Sequence, residues 1–243
     1  MMTGKDEEQM GITAVSEDNA PLTGFHLKLL AVITMVVDHF GAVFLDYGTP
    51  EYMVCRTVGR LAFPIYCFLL VEGFKYTKNV YRYLARLAVF ALISEVPFDF
   101  AIFGTVYYPY YQNVFFTLLL GLLGITVYDY ATKNNRIFLA VMGILAPLVG
   151  AYFLQCDYSV DGVLLILLLY LLQNYKAVRF TAASVLLILM GISEGSMEYV
   201  GAFSFLLIAF LYNGKKGTGM NRYLFYVVYP VHLLLFGLIR MFM

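Results

Sequence analysis

The sequence predicts an all-α membrane protein, a polytopic bundle of about nine transmembrane helices with the N-terminus inside and the C-terminus outside. Three observations lead there. Of 243 residues, 61% are hydrophobic and 13% charged, with a mean hydropathy of +0.77, whereas a soluble domain carries about a quarter charged residues. Apolar runs recur at the ~20 residues that one crossing needs. Every second connection between those runs is basic. The composition excludes a soluble domain, a disordered chain and a nucleic-acid binder, and zero formal net charge gives no long-range pull toward anionic partners.

Residues 1–26 stand apart. They hold Asp6, Glu7, Glu8, Glu17 and Asp18 against Lys5, with no apolar run. A secretory signal needs a basic start and an apolar stretch, so this segment is expected to be a polar, flexible cytoplasmic tail, with insertion beginning only after Phe25. Residues 27–243 form the membrane domain. Its nine expected segments are 27–46, 54–74, 84–103, 112–131, 136–154, 159–174, 178–192, 197–212 and 223–242. Asp161 and Arg179 shorten the dry length of the sixth and seventh, which suits tilting or a locally thin bilayer. No internal repeat is visible.

Direction follows from Lys and Arg, which accumulate in cytoplasmic loops. Lys75, Lys78, Arg82 and Arg86 flank the second connection, Lys133 and Arg136 the fourth, Lys176 and Arg179 the sixth, and Lys215, Lys216 and Arg222 the eighth. The intervening connections hold Asp46 and Glu51, then the uncharged Tyr107–Tyr111, then Asp157, then Glu194 and Glu198. Arg56 and Arg60 break the pattern on the outer side and are candidates for another role. With no tryptophan in the chain, interfacial belts fall to tyrosine: Tyr107, Tyr108, Tyr110 and Tyr111 outside, Tyr76, Tyr81 and Tyr83 inside. Cys55, Cys67 and Cys156 lack a metal-ligand spacing, so no metal is expected. Cys55 and Cys156 both fall near the outer face, as a pair or as separate thiols.

An ionisable group at membrane depth costs several kcal/mol unless it faces a cavity or a partner, and marks function by default. Asp38 and His39 lie inside the first segment, Arg60 in the second, Glu95 and Asp99 in the third and His232 in the ninth. Counted from the cytoplasmic ends at ~1.5 Å per residue, His39 lies at ~18 Å, Arg60 at ~21 Å, Glu95 at ~17 Å, Asp99 at ~22 Å and His232 at ~14 Å. Gln112 and Asn113 open the fourth segment at the same outer level. Adjacent helical residues point ~100° apart, so Asp38 is expected to pair with Arg60, and His39 with Glu95. His232 is either a second polar contact or a buried imidazole. Lys28 and His39 are eleven residues apart, which returns to within ~20° of the same helix face. That stripe, ~16 Å long, is comparable to a pantetheine arm. Lys28 is also placed to be a snorkelling anchor. Glu72 with Lys75, and Asp129 with Lys133, are expected to be helix-end ion pairs. Pro64 and Pro97, close to Arg60 and Glu95, are placed to free backbone groups toward a cavity.

The segments LKLLAVITMVVDHFG, VGRLAFPIYCFLLVEGFKYTKNVYRYLARLAVFALISEVPFD, QNVFFTLLLGLL and FYVVYPVHLLL resemble the TraX family of bacterial membrane proteins. The resemblance runs from about Leu27 to Ile239 and is strongest over the first four segments. The family is named for an enzyme that acetylates the N-terminus of conjugative pilin. It is similar to the wider transmembrane acyltransferases, including the acyltransferase-3 family and the lysosomal heparan-glucosaminide acetyltransferase. Those enzymes take acetyl groups from cytoplasmic acetyl-CoA and use a membrane histidine to pass them across. The resemblance puts His39 in the place of that histidine. Lys28 stands where the acyltransferase-3 pattern has arginine, a departure because lysine cannot grip a phosphate bidentately.

The resemblance implies an acetyl-CoA-dependent acyltransferase of the bacterial cytoplasmic membrane. Its acceptor would be an extracytoplasmic amine or hydroxyl on a pilin-like protein, a peptide or a surface glycan. His39 would serve as general base or as a covalent carrier of the acetyl group. Asp38, Arg60 and Glu95 would complete the catalytic set, with Glu95 orienting the imidazole and Arg60 and Asn113 stabilising the oxyanion. Lys28 would receive the coenzyme's phosphates, and Asp99, Gln112, Asn113 and His232 would meet the acceptor. The same buried charges would also suit a small proton-coupled permease, although no repeat symmetry favours one. In a non-enzymatic assembly partner they would be interhelical ties.

Overall fold

The computed structural model describes residues 20–217 and 222–243. The acidic part of the expected tail, residues 1–19, lies outside the described residues. Within them the regular structure is helical, as the composition predicts. The helices are α1 (Gly24–Phe44), α2 (Pro50–Gly59), α3 (Ala62–Tyr76), α4 (Val80–Phe103), α5 (Val114–Lys133), α6 (Ile137–Leu154), α7 (Ser159–Leu171), α8 (Lys176–Glu194), α9 (Ala202–Leu211) and α10 (Arg222–Met241), with a 3-10 turn at Glu198–Gly201 before α9.

Each expected segment coincides with a helix or a broken pair. Six stretches are long and apolar enough to cross a membrane: α1, α2 and α3 taken together, α5, α6, α8 and α10. Helix α4 is long enough at 24 residues but carries Arg82, Arg86, Glu95 and Asp99. Helix α7 has 13 residues and α9 has 10, short of a ~30 Å hydrocarbon layer at ~1.5 Å per residue. Helix α7 is a core element instead. Leu165, Ile166, Leu167 and Leu169 are fully buried, and the helix packs on α3, α5, α6 and α8. Helix α6, apolar all round, leaves Val141, Leu145, Val149, Tyr152 and Phe153 exposed, the lipid-facing surface a membrane protein needs. Its other face approaches α5 closely: a Cβ on Gly143 would lie 2.7 Å from the Tyr128 amide nitrogen. Small residues permit such contact where no hydrophobic force drives helices together.

The second segment, expected as one helix over 54–74, starts earlier and breaks at Arg60 and Leu61. Pro64 has no N–H to offer the Arg60 carbonyl, so the ladder cannot run through. At the break the Leu61 carbonyl accepts a hydrogen bond from Ser204 Oγ at 3.0 Å. The break turns the last residues of α2 toward α1.

Helix α1 starts at Gly24, before the expected Leu27, and residues 20–23 are anchored. Leu22 N donates to the Leu211 carbonyl at 2.9 Å, and Asn213 N to the Leu22 carbonyl at 2.9 Å. The amides of Gly24 and Phe25, which no helical partner can satisfy, donate to the carbonyls of Lys215 and Lys216 at 2.8 and 3.0 Å. The expected flexible tail reaches residue 26, but the amides that open α1 need acceptors and the carbonyls of Lys215 and Lys216 supply them, so residues 20–26 are held. The three cysteines are unbonded. Cys55 rests against Gly41 and Cys156 is buried beside the Ala151 carbonyl, so the alternative of a Cys55–Cys156 pair is not taken.

Candidate functional site

Because residues 38 and 39 point in different directions from α1, they build two neighbouring groups. His39 faces α10. Its Nδ1 lies 2.7 Å from His232 Nε2, with ring centroids 4.9 Å apart and ring planes 23° apart. His232 Nδ1 in turn lies 2.7 Å from the Val228 carbonyl oxygen. One turn back on α10, Tyr229 sets its ring edge-on to both imidazoles, at 5.7 Å from His39 and 5.8 Å from His232. Tyr229 is 3% exposed, and its hydroxyl is buried beside the Val114 backbone.

Asp38 faces α2. Its carboxylate takes Arg56 Nη1 at 2.6 Å and Arg60 Nη2 at 3.2 Å. The expected Asp38–Arg60 pair is present, and Arg56 joins it. Arg60 also donates to the Tyr158 hydroxyl at 3.4 Å, and the Tyr158 ring lies flat on Phe63 with centroids 3.7 Å apart. Gly59 makes this approach possible, since a Cβ there would overlap the Asp38 side chain. Gly59→Ala would ordinarily stabilise a helix by up to ~1 kcal/mol. Here it is expected to destabilise by about 1–3 kcal/mol, the cost of overpacking. A higher melting temperature by circular dichroism would contradict this.

Tyr158 is delivered by a turn in which Gln155, Tyr158 and Ser159 all have positive φ, at 48°, 59° and 40°. Such backbone is costly for residues with a Cβ and persists where surroundings fix it. Gln112 does the fixing: its amide donates to the Gln155 carbonyl at 3.2 Å, and its carbonyl accepts from Asp157 N at 2.9 Å. Thr117 Oγ closes on the Asp157 carbonyl. The Asp157 carboxylate accepts from the Tyr111 hydroxyl at 2.9 Å. Burial pushes the Asp157 carboxyl above the usual carboxylate range, opposed by the Tyr111 hydrogen bond and by Arg60. The Asp157 carboxylate and then burial push the Tyr111 hydroxyl up.

The expected His39–Glu95 pair does not form. Glu95 is held by Asn113, whose Nδ2 also donates to the Ala91 carbonyl at 2.8 Å. Asn113 Oδ1 caps α5 by accepting from Phe115 N at 3.0 Å. A capping residue at 0% exposure with both amide hydrogens engaged has none left for an oxyanion. Asp99 Oδ2 accepts from Tyr108 N at 2.7 Å to hold the tyrosine-rich loop, and its Oδ1 is buried without a partner. Gln112 Nε2 donates to the Pro109 carbonyl. These three residues shape the loops above the site. Glu95 keeps one oxygen, Oε1, buried and unpartnered, within electrostatic reach of Tyr229.

At the far end of α1, Lys28 lies 5.8 Å from the Phe225 ring centroid and beside Lys216. Between Lys28 and His39 runs a chain of rings. Phe90 stacks on Tyr226 at 5.1 Å, Phe115 lies 6.1 Å from Tyr226 and 5.1 Å from Tyr229, and Tyr229 reaches His39. Among the described residues no three His, Cys, Asp or Glu side chains gather as a metal site would require.

The family model described as TraX protein matches residues 23–240, from the residue before α1 to the last turn of α10. The chain belongs to the TraX family. This TraX chain is 30% identical over 245 aligned positions, covering 93% of it and 98% of the relative, to the Probable fimbrial assembly protein FimC, serogroup H1, of Dichelobacter nodosus. Over 70 residues, 29% of the chain and 25% of the relative, it is 36% identical to an uncharacterised protein of Rickettsia prowazekii (strain Madrid E). No solved structure matches.

Four residues of the TraX chain's site escaped sequence reasoning as participants, Tyr111, Asp157, Tyr158 and Tyr229, while Arg56, a candidate for a role beyond topology, joins Arg60 on Asp38. Tyr229 and His232 share a face at a spacing of three, as Arg56 and Arg60 do at four, so the signal for Tyr229 was present. Asp157 and Tyr158 had none, because the turn that delivers them is shaped by left-handed backbone at Gln155, Tyr158 and Ser159, which leaves no mark in the sequence.

Proposed function

We propose that the chain is an acetyltransferase of the bacterial cytoplasmic membrane. It would move an acetyl group from acetyl-CoA on the cytoplasmic side to the amino group of an extracytoplasmic, pilin-like protein. The observation that carries this is a membrane-depth imidazole, His39, with one nitrogen engaged by His232 and the other without a partner among the described residues, beside the buried phenol of Tyr229. Similarity along the whole chain to a protein described as a probable fimbrial assembly protein supports the class of acceptor. The basic end of the bundle would face the cytoplasm, in keeping with the charge bias of its loops.

In this reading His39 takes a proton from the acceptor amine as the amine attacks the thioester carbonyl. A C–N bond forms, the C–S bond breaks, and the proton passes to the leaving thiolate. The Tyr229 hydroxyl, rather than Asn113, donates to the developing oxyanion. Lys28 and Lys216 receive the donor's phosphates, and the Phe90–Tyr226–Phe115 rings flank its pantetheine arm. Asp38, Arg56 and Arg60 hold α1 against α2, so that His39 faces α10.

The test is direct. Protein purified into nanodiscs is given acetyl-CoA and a peptide with a free amino terminus. Free thiol and acetylated peptide are expected in equal amounts, by a thiol reagent and by mass spectrometry. Absence of both product and acetyl-CoA binding would overturn the proposal.

A further inference from the structure

A neutral imidazole carries one proton on one of two nitrogens, and the backbone decides where it sits in both histidines. The Val228 carbonyl oxygen only accepts, so His232 Nδ1, 2.7 Å away, carries the proton. The lone pair of His232 is then on Nε2. That atom is 2.7 Å from His39 Nδ1, which in the neutral pair must donate. His39 is left with its lone pair on Nε2, the nitrogen without a partner among the described residues.

We propose that His232 is a positioning residue for His39, accepting its Nδ1 proton and so fixing both the tautomer and the ring orientation that expose Nε2 as a base. A carboxylate often fills this place beside a working histidine. At membrane depth an ionised carboxylate is costly, whereas an uncharged imidazole pinned by a helix carbonyl accepts the same proton without a charge. The packing that keeps His232 in place is aromatic: Phe236 meets its ring edge-on at 5.5 Å and Tyr229 at 5.8 Å. The consequence for turnover rests on the acetyl-transfer reading; the tautomer itself does not.

The chain has three histidines, His26, His39 and His232, so nitrogen-15 NMR of histidine-labelled protein in nanodiscs resolves them, assigned with His26→Gln and His232→Phe. At a pH of about 8, above the ordinary histidine value of about 6.5, the expected wild-type result is His39 protonated on Nδ1 and bare on Nε2. In His232→Phe that preference is lost. In His232→Glu, whose carboxylate only accepts, it returns. In the transfer assay His232→Phe is expected to lower kcat by about 10- to 100-fold, the range for losing a partner that orients a metal-bound histidine. KM for acetyl-CoA is expected to stay the same, and His232→Glu to recover part of kcat. Wild-type His39 protonated on Nε2, or a tautomer unmoved by His232→Phe, would overturn the proposal. The expected tautomer in a protein that turns over no acetyl-CoA would uphold the relay and overturn only the acetyltransferase reading.

Discussion

His39→Ala is expected to lower kcat for acetyl transfer by about 10²–10⁴-fold, the usual contribution of a positioned general base, while the protein still folds and still binds acetyl-CoA. Folding should survive because His39 is one partner of a single side-chain hydrogen bond, and its loss leaves His232 still bonded to the Val228 carbonyl. Binding should survive because Lys28 and the ring chain from Phe90 to Tyr229 do not depend on the imidazole. The discriminating measurement is therefore the split between the two parameters. A kcat collapse with KM for acetyl-CoA within about 2-fold fits a group that acts only in the transition state. Equal loss of binding and turnover would mean that His39 supports the site without taking part in chemistry. Full activity in His39→Ala would remove the acetyltransferase mechanism altogether.

The fold was largely legible and the site only in part, for reasons that lie in particular residues. Apolar run length located each helical stretch because apolar side chains must face lipid or the core, but the break at Arg60 and Leu61 is invisible to hydropathy. It depends on a missing N–H at Pro64 and a hydroxyl at Ser204 that arrives from 143 residues away. Depth arithmetic placed Asp38, His39 and Arg60 at one level, and angular separation correctly sent Asp38 to Arg60. The same arithmetic offered Glu95 to His39 because their depths agree, yet depth carries no information about which helices adjoin. Helix α10 packs on both α1 and α4, and its Tyr229 and His232 take the positions facing His39. Asn113 was misassigned because an asparagine that opens a helix and an asparagine that binds a substrate look alike until the Phe115 amide is seen to claim its oxygen.

Asp38→Ala is expected to be the most destabilising substitution in the charged group. The carboxylate stands between two guanidinium groups, with side-chain exposures of 14% for Asp38, 10% for Arg60 and 26% for Arg56. Removing one partner from a buried pair costs about 3–5 kcal/mol, because the charge left behind keeps its desolvation penalty and loses its compensation. Partial exposure of Arg56 places the expected value near the lower end of that range, about 3 kcal/mol. Two further variants separate charge from packing. Asp38→Asn retains the shape and one acceptor, so its loss should be smaller. Asp38→Ala combined with Arg60→Leu removes the stranded cation, so the double variant should unfold later than the sum of the single losses predicts, by about 1 kcal/mol or more. Arg56→Leu alone should be mild, since Asp38 then still holds Arg60. The measurement is the unfolding midpoint in one detergent, followed by far-ultraviolet circular dichroism. If Asp38→Ala melts with the wild type, the two arginines have found water or lipid headgroups. The group would then be an exposed network, and not the tie that turns His39 toward α10.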